Sequence, residues 1–428
     1  SYATRKKNIR IYLLIDEYDN FTNTILSTYG TEFYRKATHG EGFIRGFFNV
    51  IKSATTGTGA ALERLFITGV SPVTMDDVTS GFNIGTNITN DSWFNDLVGF
   101  SENELREMLE YYKEQGVLQE SIDEIVAMMK PNYDNYCFSE DTLEQCMFNS
   151  DMALYFLKSF VLHHKKPKEI VDPNIRTDFN KLAYLIKLDH GLGENFSVIK
   201  EIAEQGEIIT DIVTHFSALE MTDPSNFKSL LFYFGLLSIK GVDMVGRPIL
   251  HVPNLVVREQ LFNFLIQGYI KHDIFKIDMN RMSALFENMA FRGDWKPLFD
   301  FIANAVREQS RIREYIEGEA HIKGFLLAYL GMYRYYQLYP EYELNKGFAD
   351  FFFKPSLSVP VLPPFTYLLE VKYAKAGASE KEIRALADEA REQLLRYSED
   401  ELVAEAKAKG ELKLITIVLS LIHISEPT

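Results

Sequence analysis

The chain has 428 residues, 46% of them hydrophobic and 25% charged, which fills more than one core and excludes a disordered or collagen-like polymer. Its net charge, 45 − 60 = −15, opposes a polyanionic partner, although most of the deficit lies in the middle: residues 1–100 carry 9 basic and 10 acidic groups, 101–318 carry 23 and 34, and 319–428 carry 13 and 16. Two cysteines, Cys137 and Cys146, cannot build a disulfide framework or a four-thiolate zinc site and favour a reduced cytoplasm, while the longest apolar stretch, Leu414 to Ile422, is far short of the ~20 residues of a membrane span.

The chain opens SYATRKKNIR without an initiator Met and reads as a fragment. Ile9 to Ile15 and Leu65 to Val70 have the continuous apolar character of strands buried in a parallel sheet, and Glu41 to Lys52 between them has helical spacing. Helices take over at Ser101, which with Glu104 has the pattern of a capping box, Gly116 marking the helix end. Pro131 and Pro173 punctuate the helical region. Asn226 to Ile266 then reads as helix, two short strands about Gly246, and helix, a winged-helix-like order without a basic recognition helix, which favours an adaptor over a DNA reader. The last part predicts aromatic-rich helix from Gly318 to Leu338, strands at 348–353 and 366–374, a charged helix at 379–408 and a strand at 412–418. Leu419 to Thr428 resembles a translated sequencing-adapter read-through and is set aside. The expected division is therefore 1–100, 101–285, 286–418 and a tail of 419–428.

Two constellations bear on chemistry. In LLIDEYDN, Asp16, Glu17 and Asp19 follow an apolar strand, as in nucleoside triphosphatases where an Asp holds Mg²⁺ and a Glu polarises the attacking water. The same string also suits a solvated acidic turn, and no G-x-x-x-x-G-K-[ST] loop occurs in the 428 residues; TTGTGA (Thr55 to Ala60) reads as a flexible loop. In the second constellation, Asp350 precedes Glu370 and Lys372 by a hairpin's length, and strand alternation puts Glu370 and Lys372 on one face. Two carboxylates and an ammonium converging there would suit metal-dependent phosphodiester hydrolysis, with Asp350 and Glu370 as hard ligands for Mg²⁺ and Lys372 as the cation toward water or phosphate. The E-x-K tripeptide occurs three times, at Glu370, Glu405 and Glu411, so on pattern alone a cross-strand ion pair explains it equally well.

LLIDEYDN, the stretch Leu62 to Ile84, NYDNYCF (Asn132 to Phe138) and DPNIRTDFNKL (Asp172 to Leu182), in this order, resemble bacterial AAA-ATPase-like proteins with a C-terminal PD-(D/E)XK nuclease-like domain. The resemblance implies a multidomain α/β protein: a partial P-loop NTPase-like parallel sheet, a helical and winged-helix-like middle near 222–266, and a nuclease-like α/β core. It also implies that Asp16 and Glu17 are Walker B carboxylates, Asp16 on the metal side, that Thr68 is a γ-phosphate sensor, and that the phosphate loop lies upstream of Ser1. ATP then belongs to the intact protein, and this chain is expected to bind it weakly or not at all and to show no ATPase activity. Downstream, Glu319, Asp350, Glu370 with Lys372, and Gln393 follow the order of PD-(D/E)XK site residues, with Ala349 where the motif name has Pro. Two functions stay open: a Mg²⁺- or Mn²⁺-dependent nuclease on DNA, assembled through its ATPase-like module, or a nucleotide-regulated interaction protein with a non-catalytic nuclease-like module.

Overall fold

The structure, a computed structural model, describes residues 11–55, 60–70, 85–165, 194–217, 223–309, 318–344, 347–356, 361–375 and 377–420, with the isolated positions 167, 170–171, 220–221, 312 and 359. Ile9, most of TTGTGA, residues 71–84 of the N-terminal string, Pro173 with the rest of 172–182, and the tail from 421 lie outside the described residues. The chain divides into two compact units, residues 1–198 with 207–254, and residues 199–206 with 255–428. No helix of the described residues is long and apolar enough to cross a membrane.

The first unit begins with β1 (Ile11–Ile15), α1 (Asn20–Thr38), α2 (Phe43–Thr55) and β2 (Leu62–Ile67). The two strands pair in parallel, Ile15 opposite Ile67. Burial on both faces, expected from the apolar runs, is not what the strands show. Leu13, Ile15, Leu65 and Ile67 pack against Ala37, Ile44, Phe48 and Ile51 of the helices, but Tyr12 and Leu14 on the opposite face remain 61% and 75% exposed. Helix α1 was hidden in the sequence by its threonines and by Gly30, where a φ of +81° kinks it.

Helices α3 (Glu102–Glu114), α4 (Ile122–Tyr133) and α5 (Ser150–His163) follow. The capping box on α3 forms as expected, Glu104 N–H donating to Ser101 Oγ at 3.2 Å and Ser101 N–H to Glu104 Oε2 at 2.8 Å. Pro131 does not end the helix but sits inside the last turn of α4, where its missing N–H forgoes the bond to the Ala127 carbonyl. After α6 (Glu194–Gln205), a three-stranded antiparallel sheet of β3 (Glu207–Ile209), β4 (Ser238–Val242) and β5 (Pro248–His251), ordered β3-β5-β4, surrounds α7 (Pro224–Tyr233) in sequence. The β4–β5 turn does centre on Gly246, whose φ of +84° suits glycine.

The second unit contains α8 (Leu255–Lys271), α9 (Met279–Arg292), α10 (Lys296–Glu308) and α11 (Glu319–Gly331), then β6 (Tyr336–Leu344), β7 (Gly347–Pro355), β8 (Phe365–Ala374), α12 (Glu380–Tyr397), α13 (Glu401–Lys409) and β9 (Glu411–Ser420). Helix α8, the last in the winged-helix-like order, groups with this unit and packs on α11. The sheet runs β6-β7-β8-β9, antiparallel except for the parallel β8–β9 pair that α12 and α13 connect. Three expectations are corrected. The helix predicted through Leu338 ends at Gly331, and Tyr336–Leu344 is an edge strand, a place where Pro340 costs no interior ladder bond. The charged helix is two helices, broken at Asp400, whose carboxylate caps α13 through Leu402 N–H at 2.9 Å. Leu419 and Ser420, set aside with the tail, continue β9 opposite Tyr373 and Ala374. Leu344, Ala349, Phe352, Leu368, Leu394, Tyr397 and Val403 close a core that fixes α12 over the sheet.

Candidate active site

The β7–β8 register, Phe353 opposite Tyr367 and Phe351 opposite Leu369, brings Asp350 opposite Glu370 one pair further on. There the carboxylates take over bonding from the ladder: Asp350 N–H donates to Glu370 Oε2 at 3.3 Å and Val371 N–H to Asp350 Oδ2 at 2.7 Å. Both residues are buried, at 4% and 3% exposure, so neither charge is relieved by bulk water. Lys372, two residues along the same face, places Nζ 3.4 Å from Glu370 Oε1 and 3.7 Å from Glu389 Oε1.

Glu319 opens α11 and reaches this cluster through Lys323. One helical turn on, Lys323 places Nζ 2.5 Å from Asp350 Oδ1, 3.0 Å from Glu341 Oε1 and 3.2 Å from Glu319 Oε1. Glu319 and Lys323 stand four apart on the helix, a pairing the sequence did show. Glu341 could not be found that way, because the strand carrying it was itself missed. Gln393 lies on α12 one turn from Glu389, which touches Lys372, and one turn from Tyr397, whose burial-raised phenol interacts electrostatically with Glu370, Lys372 and Asp350. Its side-chain oxygen is buried without a hydrogen-bond partner.

Five carboxylates (Glu319, Glu341, Asp350, Glu370, Glu389) thus face two ammonium groups (Lys323, Lys372), and 2 − 5 leaves −3 if all are ionised. Burial first, and the neighbouring Asp350 second, push Glu370 up to about 7, against the pull of Lys372. Burial also raises Asp350, opposed by Lys323 and by Val371 N–H. Lys323 is itself raised: burial disfavours its charge, but Asp350 and Glu341 together outweigh that cost.

In the first unit, Thr68 follows β2 and Asp16 follows β1 at the same end of the parallel pair. Thr68 N–H donates to Ile15 O at 2.8 Å and Thr68 Oγ1 to Asp16 Oδ1 at 2.5 Å. Glu17 is exposed and left-handed, with φ +49°, its carboxylate accepting from Asn20 Nδ2 at 2.8 Å. Asp19 is buried and accepts from Val70 N–H at 3.1 Å, so it braces the segment after β2. A Cβ at Gly69 would meet the Tyr18 ring, so a larger residue there would need that ring to move.

Residues 317–423 match the PD-(D/E)XK nuclease superfamily. This PD-(D/E)XK region spans α11 to β9 and holds every residue of the charged cluster. Residues 1–79 match a family described as Predicted AAA-ATPase, a region that takes in Asp16, Glu17 and Thr68. No match was found among curated proteins. Nucleases of the PD-(D/E)XK superfamily generally use divalent metal ions.

The PD-(D/E)XK cluster fits such an ion in donor chemistry and charge. Asp350 and Glu370 offer hard oxygens side by side, and the surroundings carry uncompensated negative charge. Among the described residues no three His, Cys, Asp or Glu side chains are grouped to hold a metal, and the Lys323 ammonium contacts Asp350 and the two outer glutamates.

Proposed function

We propose that the PD-(D/E)XK region is a Mg²⁺- or Mn²⁺-dependent nuclease acting on DNA phosphodiester bonds, linked to an AAA-ATPase-like region that takes ATP. The observation that carries this reading is the buried Asp350–Glu370 pair with Lys372 3.4 Å from Glu370. Asp350 and Glu370 would hold a divalent ion, which would supply positive charge to a phosphate oxygen and lower the pKa of water. Lys372, fixed by Glu370 and Glu389, presents an ammonium toward a phosphate or the attacking water. Glu319 acts on the site through Lys323, and Gln393 gives its side-chain oxygen to water or metal. In the N-terminal region, Asp16 would hold the nucleotide's metal ion, Glu17 would polarise water, and Thr68, already bonded to Asp16, would read the γ-phosphate. The rival reading is a non-catalytic binding module, favoured by the ion pair that saturates Asp350.

Incubating supercoiled and linear DNA with the purified protein and Mg²⁺ or Mn²⁺ separates the two. The nuclease reading expects metal-dependent cleavage by the wild type and none by Asp350→Ala. Equal cleavage by both places the activity elsewhere, and inactivity of both, with no metal bound, supports the non-catalytic module.

A further inference from the structure

Lys323 is the nearest cation to Asp350, yet hydrolysis as described above assigns it no contact with substrate. Its ammonium is shared among three carboxylates from three elements: Glu319 of α11, Glu341 of β6 and Asp350 of β7. Its side chain is 21% exposed and that of Asp350 is 4% exposed, so their attraction is screened little by solvent. A divalent ion bound to Asp350 would compete with the ammonium for the same carboxylate, the two cations repelling across it.

The surroundings give the ammonium somewhere to go. Glu341 and Glu319 lie 3.0 and 3.2 Å from Nζ, and both are more exposed than Asp350, at 55% and 38%. Glu341 takes a φ of +42° within β6, a left-handed conformation that non-glycine strand residues seldom adopt, between the pairs Pro340–Phe351 and Tyr342–Ala349. The strand therefore holds this carboxylate in register with Asp350 at some conformational cost.

We propose that Lys323 is a resident counter-cation of the site: it neutralises Asp350 while no metal is bound and transfers to Glu319 and Glu341 when a divalent ion takes Asp350. Lys323 is on this account a positioning residue that competes with the metal and keeps the buried carboxylate in place for it. The inference rests on the reading of Asp350 and Glu370 as metal ligands.

Calorimetric titration of the full chain with Mn²⁺ tests it without any DNA. Lys323→Met keeps the aliphatic stem and removes the competitor, so Mn²⁺ should bind on the order of ten-fold tighter than in wild type. The same variant should melt lower without metal and regain more of its stability on adding Mn²⁺. Lys323→Arg, which keeps the charge, should bind Mn²⁺ as the wild type does. Glu341→Gln, which removes one of the alternative partners, should bind it more weakly. If wild type binds Mn²⁺, Asp350→Ala does not, and Lys323→Met binds no tighter, the counter-cation role is overturned and the metal site stands. If wild type itself binds no Mn²⁺, both fall. Should Lys323→Met fail to fold, Glu341→Gln decides, and unchanged or tighter binding by it refutes the proposal.

Discussion

At Glu370 burial and function pull against each other. The carboxyl is pushed from its ordinary 4.5 to about 7 by burial and by Asp350, so the metal-free fold favours its protonated form. A raised carboxyl contributes stability that is fully present below its ordinary value and is lost as pH rises through about 7. Urea denaturation of the metal-free protein should therefore show stability falling between pH 5 and pH 8 by up to about 3 kcal/mol, a decline that Glu370→Gln abolishes. A variant that keeps the full decline would show that other groups cause it. The same shift makes metal binding near neutral pH release protons. Calorimetry in two buffers of different ionisation enthalpy should detect the release, and it should disappear at pH 9.

Among the elements, α12 matters most because it carries Glu389, Gln393 and Tyr397 over the sheet. Its start is fixed by Ser379, whose Oγ accepts from Glu382 N–H at 3.3 Å while Glu382 Oε2 accepts from Ser379 N–H at 2.7 Å. Ser379→Ala should cost about 1 kcal/mol, read as a lower chemical denaturation midpoint. No loss would mean the helix is held by tertiary packing alone. Legibility at this scale followed the strength of local signals. β7 and β8 were readable because buried aromatic and aliphatic runs flank a Pro-rich connection, and their antiparallel register delivered Asp350 to Glu370 as alternation implied. β6 was not readable, since Pro340 and two glutamates disguise an edge strand, and with it went Glu341. Lys323 escaped for a different reason: its partners are 18 and 27 residues away, and an ordinary Glu–Lys helix pair accounts for it in sequence. The exposed face of β1, with Tyr12 and Leu14, shows the reverse failure, where an apolar run alone could not say which faces are covered.

Across the whole molecule, a net charge of −15 removes any long-range pull toward DNA. Duplex binding measured by fluorescence anisotropy should accordingly need a divalent ion, and its dependence on monovalent salt should be shallow, with a log–log slope no steeper than about −3. Tight metal-free binding with a steep slope would point to a basic surface that the charge distribution does not provide. The most direct measurement of the site's identity is an anomalous difference map from crystals of the chain grown with Mn²⁺. The expected result is a single strong peak shared by oxygens of Asp350 and Glu370, with Lys323 turned onto Glu319 and Glu341. No peak at that pair in ion-saturated crystals, with the Lys323 ammonium still on Asp350, would contradict the metal-dependent nuclease.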